Sequence, residues 1–272
     1  MAKAGKKKLR ILQVSDCHVS ADAKASYRGQ NADRNLKKLL PVMRAWDPDL
    51  VLLTGDVSED ASAASYARVA VMLGTIGSPI LALPGNHDDP EVMKQHFRQG
   101  PWTGPYGKER DRWLVVLLDS TEPGRISGSL SQQALERFDL LLRSSTAQFI
   151  LVALHHQPVA VDAHWIDRYA LENAAVFFNF IGRERRVRCV AWGHVHQDFR
   201  EVRDGVTLLG APSSVANSLP RTERFTLDLD GPSCRWLELG SDGTVETGIL
   251  SRKDFPGINL PRAEGARGSG KQ

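Results

Sequence analysis

The chain has 272 residues, 42% of them hydrophobic and 25% charged, which is enough apolar material for a substantial core and excludes a weakly hydrophobic disordered chain. No apolar run approaches the roughly 18 residues of a membrane span. The net charge of +3 is unevenly placed: residues 1–10 carry +5 and residues 251–272 carry +3, leaving residues 11–250 at −5, a sign that argues against a nucleic-acid groove on the body. Leu9–Val14 reads as a first strand. Asn31 caps a helix whose apolar positions Leu36, Leu39, Leu40 and Met43 keep helical spacing, and Pro41 within it predicts a kink or an early end. Leu50–Leu53 is a short buried strand, an Ala-rich helix runs from Asp60 to about Leu73, and Ile80–Leu83 is a strand. Asp89-Pro90-Glu91 opens a helix with a cap, a first-position proline and a first-turn acid. Then come a strand at Trp113–Leu118, a helix from the Ser131 cap through Leu142, a strand at Phe149–Leu154, a helix at Leu171–Ile181 and a strand at Val187–Trp192. Short strands follow at Phe199–Arg203, Val206–Leu209, Phe225–Leu229, Arg235–Leu239 and Val245–Leu250, with turns at Asp204-Gly205 and Asp242-Gly243. Alternating β and α followed by a meander predicts an α/β domain over 9–250, two sheets face to face with helices outside. The flanks, 1–8 and 251–272, read as basic, disordered tails.

Three scattered cysteines, Cys17, Cys189 and Cys234, fit no disulfide framework and suit a reducing, cytoplasmic setting. The first ten residues lack the apolar stretch and small-residue cleavage site of a secretory signal.

Five polar clusters each follow an apolar strand: Asp16-Cys17-His18, Gly55-Asp56, Gly85-Asn86-His87-Asp88, His155-His156 and Gly193-His194-Val195-His196. They supply Asp, Asn and His, the ligands of hard and borderline divalent metals, at the sheet edge where α/β folds carry chemistry. Residues two apart on a strand point the same way, so Asp16 with His18, and His194 with His196, can each reach one ion. Neighbouring side chains diverge, so one of His155 and His156 is a ligand. With Asp56 and Asn86 that makes seven ligands. Seven exceeds the four of a closed structural site and suits two ions sharing a bridging carboxylate, Asp56. Two divalent ions bring +4; two aspartates and a hydroxide return −3, and the remaining positive charge suits a phosphate. Without cysteine ligands the expected metals are Fe, Mn, Zn or Co. His87, directly after Asn86, points elsewhere and is the expected general acid or phosphate stabiliser. Cys17 reads as a core residue facing away from the ligands, and Asp88 and Asp89 as capping or supporting groups.

In this order and spacing the clusters resemble the calcineurin-like metallophosphoesterases. The resemblance implies a four-layer α/β/β/α sandwich with a dinuclear site. Within that superfamily, Pro84-Gly-Asn-His-Asp-Asp-Pro90, Leu154-His-His-Gln-Pro-Val159, Leu171-Glu-Asn-Ala174, Gly193-His-Val-His-Gln197, Ala211-Pro-Ser-Ser214 and Arg235-Trp-Leu-Glu-Leu239 are similar to the class III cyclic-nucleotide phosphodiesterases. Carried over, the resemblance gives Asp16, His18, Asp56 and His196 to one ion and Asp56, Asn86, His155 and His194 to the other. It puts His18, Asp56, Asn86, His87 and His196 nearest the substrate phosphate. Gln157 departs from the pattern, standing where a third His or a Pro is common.

The implied reaction is hydrolysis of 3′,5′-cyclic AMP to 5′-AMP, with a small cyclic nucleotide as substrate and no nucleic-acid partner. The alternatives are a broader phosphoesterase acting on other diesters, nucleotides or phosphoproteins, and a non-catalytic scaffold of the same fold. The complete ligand set argues against a scaffold. The C-terminal meander offers a strand edge through which a homodimer can form.

Overall fold

The computed structural model describes residues 8–251 and 253, so the two expected tails lie, but for Lys8, Ser251 and Lys253, outside the described residues. The first half runs β1 (Leu9–Val14), β2 (Ser26–Tyr27), β3 (Gln30–Asn31), α1 (Ala32–Trp46), β4 (Leu50–Thr54), α2 (Ala63–Gly74), β5 (Ile80–Leu83), α3 (Pro90–Met93), β6 (Tyr106–Arg110) and β7 (Trp113–Leu117). The second half runs α4 (Gln132–Ser144), β8 (Phe149–Leu154), α5 (His164–Asp167), α6 (Ala174–Ile181), β9 (Val187–Trp192), β10 (Phe199–Arg203), β11 (Val206–Gly210), β12 (Ser233–Leu239) and β13 (Val245–Ser251).

Two mixed sheets result, with strand orders β13-β12-β1-β4-β5 and β10-β11-β9-β8-β7-β6. Strands β1-β4-β5 and β11-β9-β8-β7 are parallel, and β12, β13, β10 and β6 pair antiparallel. Strand alternation divides the apolar residues among three cores. In β4, Val51 and Leu53 pack with Leu36, Leu39 and Met43 of α1, while Leu50 and Leu52 face the other sheet. In β8, Val152 and Leu154 pack with Phe138 of α4 and Phe177 of α6, while Leu151 and Ala153 meet the first sheet. Helix, sheet, sheet, helix is the four-layer sandwich expected.

The meander does not form a third unit. Strands β10 and β11 extend one sheet, and β12 and β13 the other. Four local readings are corrected. Helix α1 runs through Pro41 to Trp46; Pro41 is half-exposed, where solvent can meet the carbonyl that loses its partner. Helix α2 is capped by Ser62, because the Asp60 carboxylate is engaged with Ala21 N, Ser62 N and Ser62 Oγ. Helix α6 starts at Ala174, since Leu171 N is taken by Gln157 O. Residues 225–229 form no strand: one bridge, Ser218 to Leu227, is all that pairs there.

Candidate metal centre

All five clusters lie beyond the C-terminal ends of parallel strands, where the two sheets meet. The loops after β1 and β4 run on side by side, with Asp16 N donating to Gly55 O and His18 N to Asp56 O, both at 3.0 Å. His194 N donates to both oxygens of Asp16 at 3.1 Å, which stitches the first sheet to the second, and Gly193 N donates to His155 O within the second. The glycines are needed for this approach. A Cβ on Gly193 would lie 2.2 Å from Ser15 Oγ and 2.6 Å from Thr54 O, and one on Gly85 would lie 2.2 Å from Asp56 Oδ1. Asp16, His18, Asp56, His194 and His196 all have φ between 42° and 67°. Five non-glycine residues in the left-handed region at one spot is local strain of the kind functional sites hold.

Three of these histidines, His18, His155 and His196, are oriented by their outer nitrogen. His18 Nδ1 bonds Glu59 Oε2, His155 Nδ1 bonds Thr54 O and His196 Nδ1 bonds Ala216 O, all at 2.8 Å. Carbonyl and carboxylate oxygens only accept, so the Nδ1 atoms donate and each Nε2 is turned inward. There His18 Nε2 lies 3.2 Å from His196 Nε2, and His155 Nε2 lies 3.2 Å from His194 Nδ1. Asp56 stands between the pairs, with Oδ2 3.7 Å from His18 and Oδ1 3.5 Å from His155; Asp16 Oδ1 is 3.4 Å from His196. Asn86 Oδ1 and His194 Nε2 are buried without any partner.

Burial works against the ionised carboxylates. Even so, the His155 charge and hydrogen bond hold Asp56 well below its ordinary range, and His196 does the same more mildly for Asp16. In return, against the same burial, Asp56 raises His155 to about 9. His194 is pushed well below its usual value by burial and by the neighbouring His156 and His155. Each imidazole pair can hold at most one proton between its nitrogens, whereas a cation would meet both lone pairs. Two such pairs, two ionised aspartates and an orphaned amide oxygen fit two divalent ions of the O/N-preferring kind.

His155 and His156 part company. His156 Nε2 bonds Ile126 O at 2.9 Å and Nδ1 bonds Ser120 Oγ at 2.8 Å, so both nitrogens are spoken for. Its atoms come within 4.8 Å of those of His155 and His194, but no lone pair is turned towards them. The ligand-type nitrogen belongs to His155. Cys17 lies in the core between sheet and helix against Ser214 Oγ, and burial pushes its thiol up to about 12, as a core role requires. Asp89 caps α3. Asp88 accepts from Val57 N, Ser58 N and Gly85 N, and so ties the Asp56 loop to the Asn86 loop. Gln157 is buried and donates to Ile166 O.

The sequence reading missed Glu59. Its Oε2 lies 2.8 Å from His18 Nδ1 and 3.3 Å from His87 Nδ1, linking a ligand-type histidine to the expected proton donor. The only signal was an acid three residues after Asp56. Tyr27 and Arg28 are not among the expected site residues. Both line a cavity of about 380 Å³ that opens over Asp56, Asn86, His87, His194 and His196 and is walled by Trp165 and Phe225.

The model of the calcineurin-like phosphoesterase family matches residues 9–198. The chain is 36% identical over 246 residues to the 3′,5′-cyclic adenosine monophosphate phosphodiesterase of Pseudomonas aeruginosa, covering 90% of each chain. It is 31% identical over 252 residues to that of Escherichia coli K12, again covering 90% of each. It is 32% identical to a 3′,5′-cyclic-nucleotide phosphodiesterase of Nostoc, covering 89% of this chain and 91% of the other. Among solved structures, a dimetal phosphatase from Danio rerio superposes with a TM-score of 0.64 at 15% identity, over 90% of this chain and 99% of that one. A purple acid phosphatase from yellow lupin gives 0.64 at 14%, over 90% and 54%. These two show a common fold.

Proposed function

The chain belongs to the calcineurin-like phosphoesterase family, and from that premise we propose that it is a dinuclear metal-dependent phosphodiesterase that hydrolyses 3′,5′-cyclic AMP to 5′-AMP. The observation that carries this reading is the pair of facing imidazole contacts on either side of Asp56, with Asn86 Oδ1 left unpartnered beside them. Asp16, His18, Asp56 and His196 would hold one ion, and Asp56, Asn86, His155 and His194 the other. When bound, the two ions acidify water and draw charge from phosphoryl oxygens.

The chain's own groups do the rest. Release of 5′-AMP breaks the bond from phosphorus to O3′, and that oxygen needs a proton. His87 lines the cavity, its backbone N–H is held by Asp56 Oδ1 at 3.0 Å, and its Nδ1 faces Glu59. It delivers the proton to O3′, with Glu59 holding the ring in register for that transfer. His18, Asp56, Asn86 and His196 surround the phosphate. Three buried, scattered cysteines support a reducing, cytoplasmic setting. Among the described residues no helix is long and apolar enough to cross a membrane.

The test is a steady-state comparison of cyclic AMP, cyclic GMP, 2′,3′-cyclic AMP and bis(4-nitrophenyl) phosphate, with metal content measured on the same protein. Cyclic AMP turnover that disappears on chelation and returns with Mn²⁺ or Fe²⁺ is expected. A fast aryl diester rate beside negligible cyclic AMP turnover would replace this reading with the broader phosphoesterase. Undiminished turnover in protein shown to be metal-free would overturn both.

A further inference from the structure

The phosphate chemistry uses one end of the cavity and leaves the other end unexplained. There an aromatic wall starts on a ligand-type ring and runs outward. His196 lies 6.0 Å from Trp165 and 6.1 Å from Phe225, both edge-on, and Trp165 meets Phe225 edge to face at 5.2 Å. Trp165 comes from α5 and Phe225 from the loop that failed to form a strand. Both rings are only half-buried and line the cavity.

A third segment closes the wall. Tyr27 stacks flat on His18 at 3.7 Å with 6° between the planes, which anchors the β2–β3 hairpin to the metal centre. The hairpin pairs Tyr27 with Gln30, so its loop is Arg28-Gly29, with φ of 50° and 75°. Two residues with positive φ make a type I′ turn, whose first position favours Asn, Asp or Gly. Arginine there is strained. Its guanidinium carbon sits 4.6 Å from the centre of the Phe225 ring and 5.6 Å from that of Tyr27. The turn carries a cation across to the far wall at a cost in backbone strain.

We propose that Arg28, Trp165 and Phe225 form the purine subsite, taking the base of the bound nucleotide while the centre holds its phosphate. This rests on the reading of the centre as a nucleotide phosphodiesterase. A planar base finds π faces and a guanidinium plane there, the surfaces on which bases stack. The cavity volume of about 380 Å³ is in the range of small-molecule sites. The subsite explains how an enzyme whose metal centre reads only phosphate distinguishes nucleotides from other esters.

The test measures binding by calorimetric titration of the Mn²⁺-loaded full chain with inorganic phosphate, ribose 5-phosphate and 5′-AMP. The variants are Phe225→Leu, which keeps an apolar contact to Trp165 but removes the π face, and Arg28→Asn, which suits the turn and removes the guanidinium. Wild-type protein is expected to bind 5′-AMP at least about fivefold more tightly than ribose 5-phosphate, and each variant to weaken 5′-AMP by roughly 5- to 100-fold. Phosphate and ribose 5-phosphate should stay within about twofold of wild type, and Arg28→Asn should melt no lower than wild type. No preference for 5′-AMP in the wild type, an unchanged preference in both variants, or parallel loss of phosphate binding each overturns the proposal. Cyclic AMP turnover, measured on the same samples, separates the two readings. Turnover with an unchanged 5′-AMP preference removes the subsite alone. Absent turnover with a preference that the variants abolish removes the cyclic AMP assignment and keeps a nucleotide subsite.

Discussion

The distinction between His155 and His156 rests on ring nitrogens alone, so substitutions that imitate one nitrogen at a time test it. In His155→Asn the amide takes the place of Nδ1–H and can still donate to Thr54 O, but nothing replaces the inward Nε2. In His156→Gln the amide takes the place of Nε2–H and can still donate to Ile126 O. The first variant should bind at most one ion per chain and the second should bind two. They should differ in acid stability as well. Burial and the charge on His155 press His156 down to about 3, against about 6.5 for a free histidine. A histidine held neutral in the fold contributes stability that is fully present above pH 6.5 and is lost as pH falls towards 3. The loss approaches 1.4 kcal/mol per pH unit well below pH 6.5, and comes to about 1.6 kcal/mol between pH 6.5 and 5.0. Urea unfolding of metal-free wild type and His156→Gln at those two pH values should therefore show the variant losing about 1.6 kcal/mol less. Metal content by mass spectrometry completes the assay. An ion lost from His156→Gln but kept in His155→Asn, or equal pH dependence in the two metal-free proteins, would refute the assignment.

Two further substitutions test the supports of the centre. Asp88→Ala leaves the N–H groups of Val57, Ser58 and Gly85 without their acceptor; at about 1 kcal/mol each, urea unfolding at pH 8 should show a loss of ~3 kcal/mol, and a loss below about 1 kcal/mol would mean that the two loops are held otherwise. Glu59→Gln leaves one amide oxygen to serve both His18 and His87. kcat should fall roughly 10- to 100-fold with KM little changed, the pH profile of kcat should shift, and wild-type kcat with a wild-type profile would remove Glu59 from the proton path.

Much of the fold was legible because the parallel strands are buried on both faces. β1, β5, β8 and β9 stand where their apolar runs put them, and Asn31, Asp89 and Ser131 cap the helices that they were expected to cap. What escaped was structure made by tertiary contact. β6, Tyr-Gly-Lys-Glu-Arg, is a charged edge strand with no apolar alternation, formed because β7 offers it a partner. Phe225–Leu229 has the alternation of a strand and no strand beside it, so its rings went to the cavity wall instead.

The site divides along the same line. Side chains that carry charge or a lone pair to the centre announce themselves, since Asp, Asn and His in clusters after strands have few other uses. The groups that aim them do not. Thr54 O, Ala216 O and Ile126 O are backbone carbonyls, which any sequence supplies, yet they turn Nε2 of His155 and His196 inward and hold that of His156 away. Ring orientation is thus a property of where the backbone ends up, and a motif that reads His-His cannot contain it. The same holds for the outer cavity, whose wall is assembled from residues 27–28, 165 and 225. Metal chemistry concentrates its residues at strand ends because a sheet edge fixes many ligands at once. Recognition of the rest of a substrate draws on loops that meet only in the folded chain.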